Sequence, residues 1–192
     1  MNYQDYIWDL GGTLLDNYGT STAAFVHTLQ DFGLTASHDE VYKALKVSTE
    51  YAVRQFAPRN KEFLKAYKAN EAKELEHPIL FDGASELLAQ IIQQGGRNFL
   101  ISHRDDQVLE ILQKTQISAY FTEVVTATNG FKRKPDPESM LYLKDKYQIQ
   151  SGLVIGDRPI DVEAGRAAGF SCYLFDNMKN LEEFVDIELE KE

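Results

Sequence analysis

Two short segments place aspartates directly after apolar runs. The first, YIWDLGGTLLD over residues 6–16, delivers Asp9 into a glycine-rich turn. The second, LVIGDRPID over residues 153–161, carries Asp157 and, four residues later, Asp161. Parallel strands end at a common edge of their sheet, so carboxylates that follow such strands are presented there together. An aspartate in this position can act as a nucleophile or as a ligand of a hard cation such as Mg²⁺.

Two further segments carry other polar groups. The apolar run NFLIS ends at Ser102, whose hydroxyl could donate to a phosphoryl oxygen or cap the helix that follows. Residues 132–134 are Lys-Arg-Lys ahead of a proline, and they are the best candidate for a local basic spot that binds a small anion. Lys134 beside carboxylates would balance their charge and could hold a phosphoryl oxygen.

In this order the four segments resemble the motifs of the haloacid dehalogenase-like hydrolases, and the resemblance covers nearly the whole chain. It implies a phosphohydrolase that acts on a small phosphorylated molecule. In such an enzyme Asp9 would attack phosphorus and form an aspartyl-phosphate. Ser102 and Lys134 would hold the phosphoryl group.

The resemblance also implies a bound Mg²⁺ ion. Asp9 and Asp157 would be direct ligands, and Gly11 would contribute its backbone carbonyl. Asp161 would support the metal site as a further acceptor, although it could also cap the helix that begins there. Carboxylate oxygens combined with water and a phosphate oxygen suit Mg²⁺, which keeps several of its waters.

Three residues beside the motifs are further candidates for phosphate binding. Gly12 allows close approach of the backbone to a ligand, and Thr13 can hydrogen-bond within the same loop. His103 directly follows Ser102 at the predicted strand end. We therefore group Gly12, Thr13 and His103 with Ser102 and Lys134 as the expected phosphate-binding set.

The sequence departs from the family pattern at one position. The first motif usually reads Asp-x-Asp, and here Gly11 replaces the second aspartate. That aspartate is the family's usual general acid, and a positioned acid or base typically contributes about 10²–10⁴-fold to a rate. We expect metal binding and nucleophilic attack to survive this change and proton transfer to be lost. Sugar and alcohol phosphates should suffer most, whereas acyl, enol or aryl phosphates need little protonation.

Another side chain could supply the missing proton. His103 is the best local candidate because an imidazole has a suitable pKa, although a histidine beside a turn is usually structural. Asp16 is also near, but a capping or hinge role fits it better. Residues from the helical segment that follows are further candidates, and nothing in the sequence selects among Glu50, Tyr51, Lys65 and Tyr67.

The pattern of the chain predicts an α/β fold. From residue 81 onward, helices of about three turns alternate with short apolar runs, which predicts a Rossmann-like, doubly wound parallel sheet with helices on both faces. Residues 20–77 show only helical spacing, and within them residues 39–56 form one uninterrupted helical pattern.

We therefore expect two domains. Residues 1–15 and 81–192 would form the Rossmann-like core, and residues 16–80 would be an inserted helical cap. The insertion resembles the small helical cap of the family's phosphoglycolate-phosphatase-like branch. Such a cap would close over the end of the sheet and read the non-reacting part of a small substrate.

Composition restricts the partners. The net charge of −10 argues against nucleic acid or an anionic membrane surface. The single cysteine, Cys172, has no internal disulfide partner, which fits a reducing cytosol, and no segment has the form of a signal peptide or membrane span. We expect a cytoplasmic protein, and the sequence leaves its oligomeric state open.

Several alternatives to an Mg²⁺-dependent phosphohydrolase remain. Gly11 supports a catalytically weakened phosphate-binding or regulatory protein. A phosphonatase-like C–P hydrolase also lacks the second aspartate, but it needs a Schiff-base lysine, for which the candidates are Lys43, Lys46 and Lys65. A 2-haloacid dehalogenase would use the same nucleophile without metal, and the pair Asp157 and Asp161 argues against it.

Overall fold

The structure, a computed structural model, describes residues 3–74 and 76–189, with the backbone alone for 186–189. These residues divide into two compact units. The larger unit joins the chain up to Leu15 with the chain from Leu80 onward, and the smaller unit is Asp16–Ile79. The larger unit contains a bridge between Leu15 and Leu80, where the chain leaves it and returns.

The larger unit is built on a five-stranded sheet in the order β3-β2-β1-β4-β5, and all four strand pairings are parallel. Ile7 of the central strand lies beside Phe99 on one side and Val154 on the other. This arrangement confirms the predicted α/β, Rossmann-like parallel sheet. The strands are β1 Asp5–Trp8, β2 Arg97–Ile101, β3 Phe121–Val125, β4 Gly152–Gly156 and β5 Ser171–Leu174.

The part of the chain that the structure describes contains nine α-helices. Two short 3-10 turns, Ser118–Tyr120 and Ala127–Asn129, flank β3. The helices are α1 Asn17–Asp31, α2 His38–Val47, α3 Thr49–Phe56, α4 Phe63–Glu74, α5 Ala84–Gln93, α6 Gln107–Lys114, α7 Glu138–Tyr147, α8 Pro159–Ala167 and α9 Met178–Leu189.

Both faces of the sheet are covered because successive side chains of a strand point to opposite faces. Tyr6 and Trp8 of β1 belong to an apolar cluster with residues of α5, α6 and α9. Ile7, between them, belongs to a second cluster with residues of α7 and α8. The three central strands β1, β2 and β4 are therefore buried from both sides, whereas the edge strands β3 and β5 are partly exposed.

The smaller unit contains α1 to α4. Phe25 of α1 packs edge-on against Phe63 and Tyr67 of α4, with ring centroids 4.9 Å apart in both pairs, and all three side chains are fully buried. Asp16 caps α1, because its Oδ1 accepts a hydrogen bond from the backbone N–H of Gly19 at 2.8 Å. Apolar residues at helical spacing in this segment thus form a core of their own.

One predicted helix is two helices. Residues 39–56 show a continuous helical pattern, but Ser48 is extended, with φ −171° and ψ 159°. Its Oγ accepts a hydrogen bond from the backbone N–H of Tyr51 at 3.0 Å, so it caps α3. A serine cap that starts a new helix leaves the apolar spacing on either side unchanged, and this is why the pattern conceals the break.

None of the helices described is both long and apolar enough to cross a membrane. The parallel register brings the carboxyl ends of β1, β2 and β4 to one edge of the sheet. Asp9, Ser102 and Asp157 directly follow these three strands. The sheet therefore presents the predicted functional residues at one edge.

Candidate active site

Lys134 is at the centre of the polar cluster at this edge. Its Nζ lies 2.6 Å from Oδ1 of Asp9 and 2.5 Å from Oδ1 of Asp161. The same atom lies 3.4 Å from the backbone carbonyl oxygen of Ile101, the last residue of β2. The Lys134 side chain is only 2% exposed, so the cation is nearly enclosed by these oxygens. Two of the predicted motifs, 125 residues apart in the chain, thus meet at a charge-assisted hydrogen bond.

Asp161 is buried and fully engaged by the protein. Its Oδ1 faces Lys134, and its Oδ2 accepts a hydrogen bond from the backbone N–H of Arg158 at 3.2 Å, at the start of α8. Gly156 packs directly against it, because a Cβ at position 156 would collide with the Asp161 side chain. Asp161 therefore takes part in the cap of α8, which is one of its two predicted roles, and it also pairs with Lys134. Its support of a metal site stays a prediction.

Asp157 has a different environment. Its Oδ1 is buried and has no hydrogen-bond partner among the described residues. Burial, together with the charges of Asp9 and Asp161, raises the pKa of Asp157 to about 6. A buried carboxylate oxygen without a donor is costly in a dry site, and a cation is the group that would compensate it.

Asp9 is held by its backbone and by Lys134. The Asp9 N–H donates to the carbonyl oxygen of Ile155 at 2.9 Å, which continues the pairing of β1 with β4 beyond the strand end. Burial raises the pKa of the Asp9 carboxyl, and the neighbouring Lys134 opposes that shift. The side chain keeps 17% of its surface exposed, so the carboxylate remains open on one side.

The three aspartates could hold one metal ion. Asp9, Asp157 and Asp161 each offer a carboxylate oxygen, and these atoms lie within 4.8 Å of one another. With Lys134 the group carries a formal charge of −2, which a divalent cation would balance. The unpartnered Oδ1 of Asp157 points to a cation here, and oxygen donors are those that Mg²⁺ prefers.

The turn after Asp9 is tightly folded. Gly12 has a φ of +84°, and a Cβ at this position would collide with the carboxylate of Asp157. The Gly12 N–H donates to the carbonyl oxygen of Leu15 at 2.9 Å, which closes the turn. Only glycine satisfies both the backbone conformation and the close contact with Asp157.

Thr13 differs from its expected role within the loop. We expected its hydroxyl to hydrogen-bond there, but the side chain is fully buried and its Oγ1 has no partner in the described part of the chain. Backbone hydrogen bonds close the turn instead. The Thr13 hydroxyl is therefore a buried polar group without a partner among the described residues.

Ser102 extends β2 by one hydrogen bond, because its N–H donates to the carbonyl oxygen of Val125 at 2.9 Å. Its Oγ accepts a hydrogen bond from the N–H of Arg104 at 3.2 Å. Ser102 does not cap α6: the N-cap residue is Asp106, and the N–H of Gln107 donates to Oδ1 of Asp105 at 3.0 Å. The hydroxyl proton of Ser102 is not used by either bond, so it remains available to donate.

His103 is not placed as a proton donor. Its Nε2 accepts a hydrogen bond from the backbone N–H of Lys134 at 2.8 Å, so this nitrogen carries no proton. Burial and the nearby charges of Lys134, Arg133 and Arg158 lower the pKa of His103 to about 4. The ring is therefore neutral near pH 7, and its lone pair already has a donor. The structure argues against His103 as a replacement for the missing acid.

The candidate proton donors of the smaller unit are either buried in its core or exposed on its surface. Tyr67 is buried in the core of that unit, and its hydroxyl donates to Oε1 of Glu71 at 2.6 Å. Glu50, Tyr51 and Lys65 are exposed. The three lysines considered for a Schiff base, Lys43, Lys46 and Lys65, are exposed as well, whereas a nucleophilic lysine usually needs burial to lower its pKa.

Three arginines lie beside these motifs, and of these only Arg133, in the basic stretch 132–134, was considered from the sequence. Arg104, Arg133 and Arg158 are all exposed, and each lies within two residues of a residue of the cluster. Burial raises the pKa of both Asp9 and Asp157, and the positive charge of Arg158 opposes this rise in each case. Their positions inside the motifs were a signal that could have identified them.

The arrangement suits reactions of an anion at the edge of the sheet. Lys134 and the hydroxyls of Ser102 and Thr13 are donors for anionic oxygens. The carboxylate of Asp9 is partly exposed and could act as a nucleophile. Of the residues predicted for this site, the structure brings Asp9, Gly12, Lys134, Asp157 and Asp161 into a set of direct contacts.

Known proteins are similar to this chain over most of its length. The family model described as haloacid dehalogenase-like hydrolase matches residues 6–175. The crystal structure of a hydrolase from Streptococcus pneumoniae TIGR4 is 68% identical, with a TM-score of 0.94, and the match covers 97% of this chain and 100% of that chain.

Two curated relatives carry names of specific activities. A phosphoglycolate phosphatase of Aliivibrio fischeri is 28% identical over 189 residues, which cover 88% of this chain and 81% of the relative. A pyrophosphatase of Oceanobacillus iheyensis is 25% identical over 179 residues, which cover the same shares of the two chains, 88% and 81%. These matches confirm the resemblance seen in the four motifs. The chain belongs to the haloacid dehalogenase-like hydrolases, in the branch that contains the phosphoglycolate phosphatases.

Proposed function

We propose that the protein is an Mg²⁺-dependent phosphohydrolase that acts on a small phosphorylated substrate through an aspartyl-phosphate at Asp9. The observation that carries this proposal is the cluster around Lys134. Three carboxylates lie within 4.8 Å of one another, and one buried lysine pairs with two of them. A site with this excess of negative charge needs a cation before it can accept a phosphate.

Asp9 and Asp157 would hold Mg²⁺, together with the backbone carbonyl of Gly11. Asp161 would support the site without binding the ion directly, because its Oδ1 is paired with the Lys134 ammonium and its Oδ2 accepts the N–H of Arg158. The bound ion would shield the charge of the phosphoryl oxygens and so permit a carboxylate to approach phosphorus.

Asp9 would perform the first step. One of its carboxylate oxygens forms a bond to phosphorus, while the bond from phosphorus to the leaving oxygen breaks and its electron pair departs with that oxygen. Lys134 holds an oxygen of the phosphoryl group, and the hydroxyls of Ser102 and Thr13 donate hydrogen bonds to that group. These three residues occupy their positions before the substrate binds, and such preorganised donors stabilise developing charge effectively.

Water would complete the cycle. Its oxygen bonds to phosphorus, the bond between phosphorus and Asp9 breaks, and the electron pair returns to the carboxylate. One proton of the water stays on the phosphate and the other is released to solvent. Because Gly11 provides no base for this proton, hydrolysis of the aspartyl-phosphate should be slow compared with its formation.

The proposal is tested with 4-nitrophenyl phosphate, whose leaving group needs little protonation. We expect Mg²⁺-dependent hydrolysis by the wild-type protein that is lost on chelation and in Asp9→Asn. Asp176→Asn is the matched control, since Asp176 is an exposed aspartate two residues after β5. Release of nitrophenol should show a fast burst followed by a slower steady rate, as the second step limits turnover.

Gly11→Asp tests the missing acid directly. Gly11 is not one of the described glycines that have a positive φ, so its backbone conformation accepts a side chain. This variant should raise the steady rate, and it should raise hydrolysis of an alkyl phosphate more, by up to about 10²-fold. Activity equal in wild type and Asp9→Asn, with and without Gly11→Asp, would favour a phosphate-binding or regulatory protein.

A further inference from the structure

We propose that the protein also transfers a phosphoryl group from an acyl phosphate to a second carboxylate, and that this transfer is faster than hydrolysis of the aspartyl-phosphate. The protein would then be a phosphotransferase between small carboxylic acids, with water as the poorer acceptor. This inference rests on the proposed aspartyl-phosphate at Asp9 and adds an acceptor to it. It is drawn from the way in which the proton-accepting groups around Lys134 are used.

Two groups that could accept a proton near Asp9 are already occupied. Nε2 of His103 accepts a hydrogen bond from the backbone N–H of Lys134 at 2.8 Å, and the other ring nitrogen of a neutral imidazole carries the proton. The side chain of Asp161 is 1% exposed, its Oδ1 lies 2.5 Å from Nζ of Lys134, and its Oδ2 accepts the N–H of Arg158 at 3.2 Å. Neither side chain is therefore free to take a proton from water.

The other polar residues of the cluster do not supply a base either. Oδ1 of Asp157 has no hydrogen-bond partner among the described residues, but the proposed function uses this carboxylate to bind the cation. The hydroxyls of Ser102 and Thr13 are not bases near neutral pH. Gly11, which is partly exposed, has no side chain. In the described part of the larger unit, the cluster thus offers no base to a water molecule that attacks phosphorus.

A carboxylate acceptor does not need a base. A carboxylic acid has a pKa of about 4, so near neutral pH it reaches the site as an anion with a lone pair ready to bond. Water has to lose a proton as it bonds to phosphorus, and the absence of a positioned base typically slows such a step by about 10²–10⁴-fold. We therefore expect the site to select its acceptor by proton requirement, which favours a carboxylate over water.

The two steps of the transfer are the same reaction in opposite directions. An oxygen of Asp9 bonds to phosphorus, the bond from phosphorus to the acyl oxygen of the donor breaks, and the electron pair leaves with the donor's carboxylate. An oxygen of the acceptor carboxylate then bonds to phosphorus, the bond to Asp9 breaks, and the electron pair returns to Asp9. No proton moves in either step. Because an aspartyl-phosphate is itself an acyl phosphate, each step replaces one acyl phosphate by another.

The surroundings of Asp9 allow a small carboxylate to leave and another to enter. Oδ1 of Asp9 lies 2.6 Å from Nζ of Lys134, whose side chain is 2% exposed, whereas the side chain of Asp9 is 17% exposed. The lysine therefore covers one side of the Asp9 carboxylate and leaves another side open. Attacking and leaving oxygens lie roughly in line in phosphoryl transfer, so donor and acceptor both bond to phosphorus on the side away from Asp9. One position serves both, and no second binding site is required.

The experiment is isotope exchange between unlabelled acetyl phosphate and radiolabelled acetate in the presence of Mg²⁺. Label enters acetyl phosphate only if the phosphoryl group passes to the protein and then returns to acetate. Release of inorganic phosphate in the same samples measures hydrolysis. The variants are Asp9→Asn, which removes the nucleophile, and Gly11→Asp, which adds a carboxylate. Asp176→Asn is the matched control, since Asp176 is an exposed aspartate outside the cluster.

At saturating acetate we expect the wild-type protein to exchange label at least about tenfold faster than it releases phosphate, because the acetate step needs no base. Both rates should be lost in Asp9→Asn and unchanged in Asp176→Asn. Gly11→Asp should speed hydrolysis and so lower the ratio of exchange to hydrolysis by about 10²-fold.

A second measurement follows the covalent intermediate itself. Acetyl phosphate that is radiolabelled in its phosphoryl group should leave label on the acid-quenched wild-type protein and none on Asp9→Asn. After the free label is removed, added acetate should discharge the protein at least about tenfold faster than buffer alone and should return the label to acetyl phosphate. Acetamide, which is similar in size and uncharged, should not accelerate the discharge.

Other outcomes reject specific parts of the proposal. Hydrolysis that depends on Asp9, without entry of label into acetyl phosphate, would overturn the transfer and leave the phosphohydrolase function intact. Exchange no faster than hydrolysis, with a ratio that Gly11→Asp does not change, would show that another base activates water and would overturn the preference for a carboxylate. If 4-nitrophenyl phosphate is hydrolysed and acetyl phosphate is not used, acyl phosphates are not the donors and the transfer is overturned. If neither compound reacts in an Asp9-dependent manner, the phosphohydrolase function itself is wrong.

Discussion

The backbone N–H of Lys134 donates a hydrogen bond of 2.8 Å to Nε2 of His103. This bond joins the residue after Ser102 to the residue that pairs with Asp9 and Asp161. It requires an unprotonated Nε2, so the single N–H proton of the neutral ring is on Nδ1. His103 is therefore a positioning residue for the lysine, and protonation of Nε2 would break the contact.

This contact predicts a pH-dependent stability. The pKa of His103 is lowered to about 4 in the folded protein, against 6.5 for the ordinary group, so between these values the unfolded chain binds more protons. The free energy of unfolding should therefore be highest above pH 6.5 and fall as the pH drops towards 4. Because the ring is partly exposed and screened by solvent, we expect the protonation of His103 to lower the free energy of unfolding by about 1 kcal/mol.

The measurement is urea denaturation between pH 4.5 and 7.5 without metal. Trp8, the single tryptophan, is 1% exposed and provides the fluorescence signal. His103→Gln retains an acceptor for the Lys134 N–H and should flatten the curve relative to wild type. His27→Gln, on the exposed surface of α1, serves as the control and should leave the slope unchanged. Parallel curves for wild type and His103→Gln would contradict the assignment.

Lys134 should stabilise the metal-free fold. Its Nζ lies between Asp9 and Asp161, and its removal would leave buried carboxylates without a counter-charge. Lys134→Met should lower the free energy of unfolding by about 3–5 kcal/mol. Adding Asp161→Asn should restore part of this loss, so the two changes should be far from additive.

The control for this prediction is an exposed ion pair. Lys179 and Glu183 lie 3.9 Å apart on the surface of α9, so Lys179→Met should cost well under 1 kcal/mol. Denaturation in chelator measures all the variants. Additive losses in Lys134→Met and Asp161→Asn would show that the two charges do not depend on each other.

Gly12→Ala should damage both stability and the metal site. A positive φ costs an alanine about 1–2 kcal/mol, and at Gly12 the new Cβ would also displace the carboxylate of Asp157. Gly95 has the same φ of +84° with no atom within 4 Å, so Gly95→Ala measures the backbone cost alone. The loss of stability in Gly12→Ala should exceed that in Gly95→Ala by at least about 1 kcal/mol. Of the two variants, only Gly12→Ala should weaken Mg²⁺ binding. Equal costs would disprove the contact with Asp157.

Mg²⁺ should raise the melting temperature of the wild-type protein. At ten times the dissociation constant the gain is about 1.4 kcal/mol. Asp157→Asn should abolish this stabilisation, and Asp176→Asn should preserve it. Because the pKa of Asp157 is raised to about 6, the ion must displace a proton below that pH, so its affinity should fall as the pH drops from 7 to 5. Full stabilisation of Asp157→Asn by Mg²⁺ would remove Asp157 from the ligand set.

Much of the fold follows from local patterns. The strands follow the short apolar runs that alternate with helical segments, and this pattern is clearest in β1, β2 and β4, because a strand buried on both faces has few polar residues. Helical spacing located the helices, but it could not show the break at Ser48. There a local hydrogen bond from Tyr51 decides the conformation, and apolar spacing carries no information about it.

The candidate site residues were also suggested by the chain alone. Asp9, Asp157 and Lys134 occur in characteristic local contexts, at ends of apolar runs or before a proline, and their order along the chain indicated the family. Sequence patterns record residue types and spacing, and the reactive groups of this family depend on both.

Relationships between distant residues required the folded chain. The partners of Lys134 are separated from it by up to 125 residues, and the low pKa of His103 arises from its burial and from the positive charges that the fold brings near it. The lack of a partner for the buried Thr13 hydroxyl and the exposure of Arg133 and Arg158 likewise depend on what the fold places around each residue. Burial, pKa and hydrogen-bond partners arise from packing in three dimensions, whereas motif spacing reports only what lies nearby along the chain.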